Sequence, residues 1–168
     1  MDTKSQGPPR VLIVDDQKNW LTALCDMLDP NPYEIETASS YEEAKLKLRQ
    51  RAFHVLVTDQ RLVDSDSENI QGILLLDELK ELHDGTQAII VTGYPTIEAA
   101  KKALMGRKAY DYILKSPEKG APFNIRKYRD QVKEAAEIAM GEWAGKIAEE
   151  LSKPDLVLGL DYDQIAGI

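Results

Sequence analysis

The chain is short of the residues that would announce most kinds of chemistry. It has one cysteine, Cys25, and two histidines, His54 and His83, so there is no disulfide framework within the chain and no thiolate–imidazole metal cluster. Basic residues are outnumbered, 21 lysines and arginines against 29 acids, for a net charge of −8. That balance offers no broad face for phosphate backbones, and direct binding of nucleic acid is not expected. No apolar run is long enough to span a membrane, and no signal peptide precedes the first apolar run. Membrane insertion is therefore not expected, and the cytoplasm is the simplest compartment. Glycine-rich phosphate loops are missing too, which removes the usual nucleotide signatures.

What is present is a chain of 168 residues, enough for one domain with a substantial core and a short appendage. Residues 1–9 are polar, end in Gly7-Pro8-Pro9, and read as a loose leader. Compact apolar runs then alternate with helical patterns. Val11–Val14, His54–Thr58, Ala88–Val91 and Tyr110–Leu114 read as strands, and Tyr33–Thr37 as an edge strand. Leu21, Leu24, Cys25 and Leu28 lie on one face of a helix that stops at Asp29-Pro30-Asn31-Pro32. Ser39 or Ser40, three residues before Glu42 or Glu43, opens a second helix running through Arg51. The polar stretch Leu62–Asn69, with Asp64, Asp66 and Glu68, reads as a mobile, solvated loop. Two further helices are expected over Ile70–Leu82 and Thr96–Gly106. Five such alternations predict parallel strands, right-handed crossovers and helices on both faces of the sheet.

Four polar signals fall at the carboxyl ends of these strands: Asp15-Asp16, Asp59, Thr92 and Lys115. That edge is where open parallel sheets bind ligands. Carboxylates converging there repel one another and take up protons unless a cation joins them. A hard divalent cation such as Mg²⁺ suits a site offering a few carboxylates with room for water and phosphate. Aspartate is also a competent nucleophile toward phosphorus, and a lysine nearby can hold a phosphoryl oxygen. A hydroxyl such as Thr92 can hydrogen-bond another.

The runs Val-Leu-Ile-Val-Asp-Asp at 11–16, Val-Leu-Val-Thr-Asp at 55–59, Ile-Ile-Val-Thr-Gly-Tyr at 89–94 and Tyr-Asp-Tyr-Ile-Leu-Lys at 110–115 together resemble the receiver domain of two-component response regulators, over residues 10–140. The resemblance implies a doubly wound five-stranded parallel sheet in 2-1-3-4-5 order, the strand order already known for CheY-like and flavodoxin-like folds. It implies Asp59 as phosphoacceptor. Asp15, Asp16, Asp59 and the main-chain carbonyl of Arg61 would hold Mg²⁺. Thr92 would be the switch hydroxyl, Tyr112 the coupled aromatic and Lys115 the phosphate-contacting lysine. The implied donor is a sensor histidine kinase or phosphotransfer protein, with no enzymatic turnover beyond self-catalysed phosphotransfer and dephosphorylation.

The chain departs from the family pattern twice. An apolar residue, a proline and then a glycine usually follow the acceptor closely, whereas here Arg61-Leu62-Val63-Asp64 leads into the acidic loop and Gly72 comes late. Proline usually follows the lysine at once, and here Ser116 stands between Lys115 and Pro117. Two other functions stay open on the residues alone. One is a receiver-like interaction module that is never phosphorylated. The other is a Mg²⁺-dependent phosphatase with an aspartate nucleophile, although Arg61 and Gln17 occupy the places where such an enzyme needs a second acid. A long helix is expected over Asn124–Leu151, with a stripe of Ile125, Tyr128, Val132, Ala135, Ala139, Trp143, Ile147 and Leu151. It either projects as a dimer-forming or signalling helix, giving a homodimer, or folds back as a cap. Residues 141–168 are read as a helical extension and tail, which could lead to a further output domain.

Overall fold

A computed structural model describes residues 7–28, 32–82 and 85–153. The elements run β1 (Arg10–Val14), α1 (Lys18–Asp26), β2 (Glu34–Ala38), α2 (Tyr41–Gln50), β3 (Val55–Thr58), α3 (Gln71–Leu82), β4 (Gln87–Thr92), α4 (Ile97–Lys101), β5 (Asp111–Leu114) and α5 (Ile125–Ser152). The strands form one five-stranded sheet in the order β2-β1-β3-β4-β5, with every pairing parallel. This is the expected doubly wound topology. The Asp29–Asn31 part of the expected stop to the first helix, His83, and the tail from Pro154 onward lie outside the described residues.

The period-2 alternation of a strand splits the core into two layers. Leu12, Val14, Leu56, Ala88 and Ile90 pack on one face with Leu48, Ile73, Leu75 and Ala99 from α2, α3 and α4. Val11, Ile13, Val55, Val57, Ile89 and Val91 pack on the other with Leu24 of α1 and Tyr128, Val132 and Ala135 of α5. The central strands are apolar on both faces because both are covered, and so they read as continuous hydrophobic runs. Ser40 caps α2, its hydroxyl accepting from the Glu43 N–H at 3.2 Å, and Thr96 and Asn124 cap α4 and α5 in the same way.

Two elements differ from the simple periodic reading. The helix expected over 96–106 changes character after Lys101 and ends in a π-helical turn, Lys102–Gly106. The Arg107 N–H donates to the Lys102 carbonyl five residues back, and Lys108 at φ 57° turns the chain toward β5. The last helix is continuous for 28 residues. Its expected stripe is buried at Tyr128, Val132, Ala135 and Ala139. Trp143 then stacks on the buried His54 ring, centroids 3.8 Å apart. Beyond it Ile147 and Leu151 are exposed, so the helix is anchored through Trp143 and runs on past the sheet. The expected boundary between residues 140 and 141 falls inside this helix.

The late glycine is where the acidic loop rejoins the fold. A Cβ on Gly72 would lie 1.6 Å from the Asp59 carbonyl oxygen, and the Gly72 N–H donates to the Gln60 carbonyl at 3.1 Å. The start of α3 therefore touches the backbone at the end of β3, and no side chain fits between them. The extra residues loop outward as the exposed segment 63–68. The loop is not simply solvated. The buried Asn69 side chain accepts from Leu62 and Gln71 N–H groups at 3.0 and 3.1 Å, and the Asp64 N–H reaches Asp16. Gly72→Ala is expected to cost about 3 kcal/mol, the upper range for overpacking. Urea denaturation measures it, and an unchanged midpoint contradicts the close approach.

Candidate functional site

The sheet registers carry each candidate residue to one edge. The Asp15 N–H donates to Ala38, Asp59 N–H to Val14 and Lys115 N–H to Thr92, each one residue beyond a strand end, so the ladder extends far enough to fix all three backbones. Their side chains converge. The Lys115 Nζ donates to Asp15 Oδ2 and to Asp59 Oδ2, each at 2.7 Å, with all three groups buried. Asp15 Oδ1 accepts the Gln17 N–H at 2.9 Å, and Asp16 Oδ2 accepts the Asp64 N–H at 2.9 Å. Carboxylate oxygens of Asp15, Asp16 and Asp59 lie within 4.8 Å of one another.

Two oxygens in this cluster, Asp16 Oδ1 and Asp59 Oδ1, are buried without a hydrogen-bond partner. An unpaired buried carboxylate oxygen is costly, and the single ammonium balances only part of three negative charges. The donor set is all oxygen, hard and convergent, which fits a divalent cation such as Mg²⁺.

The other expected residues sit around this centre. Thr92 is fully buried at the end of β4, and its hydroxyl accepts the Tyr94 N–H at 3.1 Å, so it is engaged with its own loop. Tyr112 donates its hydroxyl to the Gln60 Oε1 at 2.6 Å. The Arg61 guanidinium lies 3.9 Å over the Tyr94 ring, and its Nε is buried without a hydrogen bond. Lys115 reaches the acids although Ser116 separates it from Pro117. The Ser116 hydroxyl bonds the Glu118 and Ala121 carbonyls and closes that turn. A cleft of about 270 Å³ between Trp20 and Tyr94 opens onto Lys115. A larger cleft of about 510 Å³ lies at the opposite end of β4, away from the carboxylates.

A scan of protein-family models matches the response regulator receiver domain over residues 11–121. The chain belongs to the response regulator receiver family. Among curated relatives of this receiver, the transcriptional regulatory protein ZraR of Escherichia coli O157:H7 is 32% identical over 105 residues, covering 62% of this chain and 22% of the relative. The nitrogen assimilation regulatory protein NtrX of Azorhizobium caulinodans is 26% identical over 149 residues, covering 89% of this chain and 31% of the relative. The receiver thus spans less than a third of these relatives. A solved CheY-like receiver domain protein from Methanospirillum hungatei JF-1 superposes with a TM-score of 0.68 at 29% identity, covering 81% of this chain and 99% of that one. Among the described residues, no helix is long and apolar enough to cross a membrane.

Gln60, Asn69 and Asp64 take part in the receiver's site, and the sequence pattern does not single them out as contributors. Adjacency to Asp59 is the only signal for Gln60, and the other two lie in a loop whose composition hides its contacts. Cys25, on the apolar face of α1, is half-buried against the α1–α5 layer, with burial raising its thiol pKa.

Burial raises the Asp15 pKa from 3.8 to about 6, against the lowering pull of Lys115 and with the help of the Asp59 charge. The folded state therefore binds the Asp15 proton more tightly than the unfolded chain. Stability falls as pH rises through the window between those two values, and the full penalty applies above it. Asp15→Asn is expected to stabilise the metal-free receiver by about 1–3 kcal/mol at pH 7.5, with the gain shrinking toward pH 4. Urea denaturation at the two pH values tests this, and a loss of stability at pH 7.5 contradicts it.

Proposed function

We propose that this receiver is a phosphoacceptor module in which Asp59 takes a phosphoryl group from a phosphohistidine on a sensor kinase or phosphotransfer protein. The supporting observation is the split environment of the Asp59 carboxylate. Lys115 fixes Oδ2 at 2.7 Å, while Oδ1 is buried and has no hydrogen-bond partner. One oxygen is anchored and the other is free to act as nucleophile.

Asp15, Asp16, Asp59 and the main-chain carbonyl of Arg61 would hold Mg²⁺. When bound, the ion supplies positive charge that offsets the phosphoryl oxygens. The protein's own groups set the rest. Asp59 Oδ1 attacks phosphorus, the P–N bond of the phosphohistidine breaks, and its electron pair remains on the imidazole nitrogen. The product is an acyl phosphate on Asp59. The Lys115 ammonium, already on this carboxylate, stays within reach of the new phosphoryl oxygens. Thr92 exchanges its bond to the Tyr94 N–H for one to the phosphoryl group, and the face carrying α4 and β5 changes its arrangement.

The readout is a changed partner surface or a homodimer, with the exposed Ile147 and Leu151 of α5 as the expected dimer face. Transcriptional output belongs to the longer relatives and is not assigned to this chain.

Incubation with radiolabelled phosphoramidate and Mg²⁺ should label the wild-type protein, with an acid-stable, hydroxylamine-sensitive adduct. Asp59→Asn should remove the label. Equal labelling of that variant would assign the acceptor elsewhere.

A further inference from the structure

The cleft of about 510 Å³ beside Gln87 and Ala88, at the start of β4, takes no part in the phosphotransfer chemistry. Three elements far apart in sequence wall it: α3, the turn that follows the π-helical residues, and the stretch of α5 beyond Trp143. Each brings a lysine, Lys80, Lys108 and Lys146 in that order. Arg107 lines it too, but Asp77 takes up that charge in a two-pronged pair, Nε to Oδ1 at 3.0 Å and Nη2 to Oδ2 at 3.3 Å. Lys80 and Lys108 enter no ion pair among the described residues. The described lining therefore holds four cations against one carboxylate, in a chain whose net charge is −8. The rest of the wall is of another kind. Leu76, Leu79 and Ala88 are apolar and nearly buried, and a Cβ on Gly106 would meet nothing within 4 Å, so that side of the cleft is open.

Like charges gathered around one space repel each other and add nothing to stability. They do raise the local concentration of anions, and a cleft with apolar walls strengthens that field. A lone carboxylate needs only one such partner. A di- or triphosphate presents several charges on adjacent oxygens, which lysine ammoniums meet as point charges without a fixed direction. An acidic peptide spreads its charges along an extended backbone instead, so a bounded cleft favours the compact anion. The apolar wall asks for a second part of the ligand, flat and uncharged, and the volume is that of a small-molecule site. We propose that this cleft binds a nucleoside di- or triphosphate, with its phosphates against Lys80, Lys108 and Lys146 and its base on Leu76, Leu79 and Ala88. Charge and shape do the binding, in place of a glycine-rich loop. The phosphates are held and not transferred, since the one carboxylate of the described lining is engaged by Arg107. A ligand there joins α3, the connection into β5 and the α5 extension at the end of the sheet opposite Asp59, and the site stands whether or not Asp59 is the phosphoacceptor.

The test is calorimetric titration of the full chain with ATP and with GTP, in EDTA so that no metal carries nucleotide to the Asp15–Asp59 cluster, together with amide NMR shifts. Saturable binding of at least one nucleotide is expected, with shifts centred on Gly85, Thr86, Gly106 and Lys108. Inorganic tripolyphosphate should bind about 10-fold more weakly, for want of a base to bury. Lys80→Gln, Lys108→Gln and Lys146→Gln should each weaken nucleotide binding about 2- to 5-fold, as for an exposed charge contact, and the triple variant by more than about 10-fold. Lys133→Gln, on a part of α5 that does not line the cleft, should change nothing. Unchanged far-UV circular dichroism separates weakened binding from unfolding, and the shift map of the wild type decides the location without any variant. Failure of both nucleotides to saturate by ~1 mM, or shifts centred on the carboxylate edge, overturns the proposal. Tripolyphosphate binding as tightly as ATP, or a polyglutamate peptide binding more tightly, also overturns it, and assigns the cleft to a plain polyanion or to an acidic protein segment.

Discussion

One ammonium group shared by two carboxylates is the interaction on which the site depends. Lys115 sits 2.7 Å from both Asp15 and Asp59, and all three are buried. Around them a third acid, Asp16, brings the local charge to an excess of negative, with two oxygens left unpaired. A buried cluster of that kind is not the arrangement of greatest stability, since neutral packing would cost less. It persists because the strands on either side are over-determined by packing, and the site draws on that surplus. The cost of that crowding shows in the raised Asp15 pKa.

The fold's part is to deliver side chains from four separate strands to one edge with little freedom. The core strands β1, β3 and β4 are buried on both faces, so their registers are fixed by both layers. Gly72 then lets α3 close against the Asp59 backbone, and the exposed loop 63–68 is carried outside that contact. At the far end of the sheet, Trp143 on His54 fastens the long helix to the domain, and an approaching side chain is avoided at Gly85, whose Cβ would meet Glu142 at 2.7 Å.

Much of this is legible in the sequence because two simple physical signals coincide. Buried parallel strands read as apolar runs, and an acid or lysine directly after such a run has few reasons to be there other than chemistry. Asp15, Asp16, Asp59 and Lys115 are found in that way, and the structure brings all four together. Thr92 is raised only by the company of the other strand-end groups, and its switch role, like any role for Tyr112, needs the family resemblance, since a turn threonine and a strand tyrosine are ordinary residues. What stays hidden depends on contacts between distant segments. The Gln60–Tyr112 bond joins residues 52 apart. Asn69 and Asp64 look like solvated loop residues until the loop's path is known. The π-helical turn after Lys101 leaves no mark on a 3.6-residue periodicity, and the anchoring of α5 through Trp143 requires knowing that His54 lies under it.

If the strand-end carboxylates form one cation-binding centre beside the nucleophile, a metal ion should report it directly. The measurement is anomalous diffraction from crystals soaked in Mn²⁺, which substitutes for Mg²⁺ and scatters strongly. The expected result is a single strong peak among the Asp15, Asp16 and Asp59 carboxylates and next to the Arg61 carbonyl. A peak elsewhere, with that position empty at saturating Mn²⁺, would contradict it.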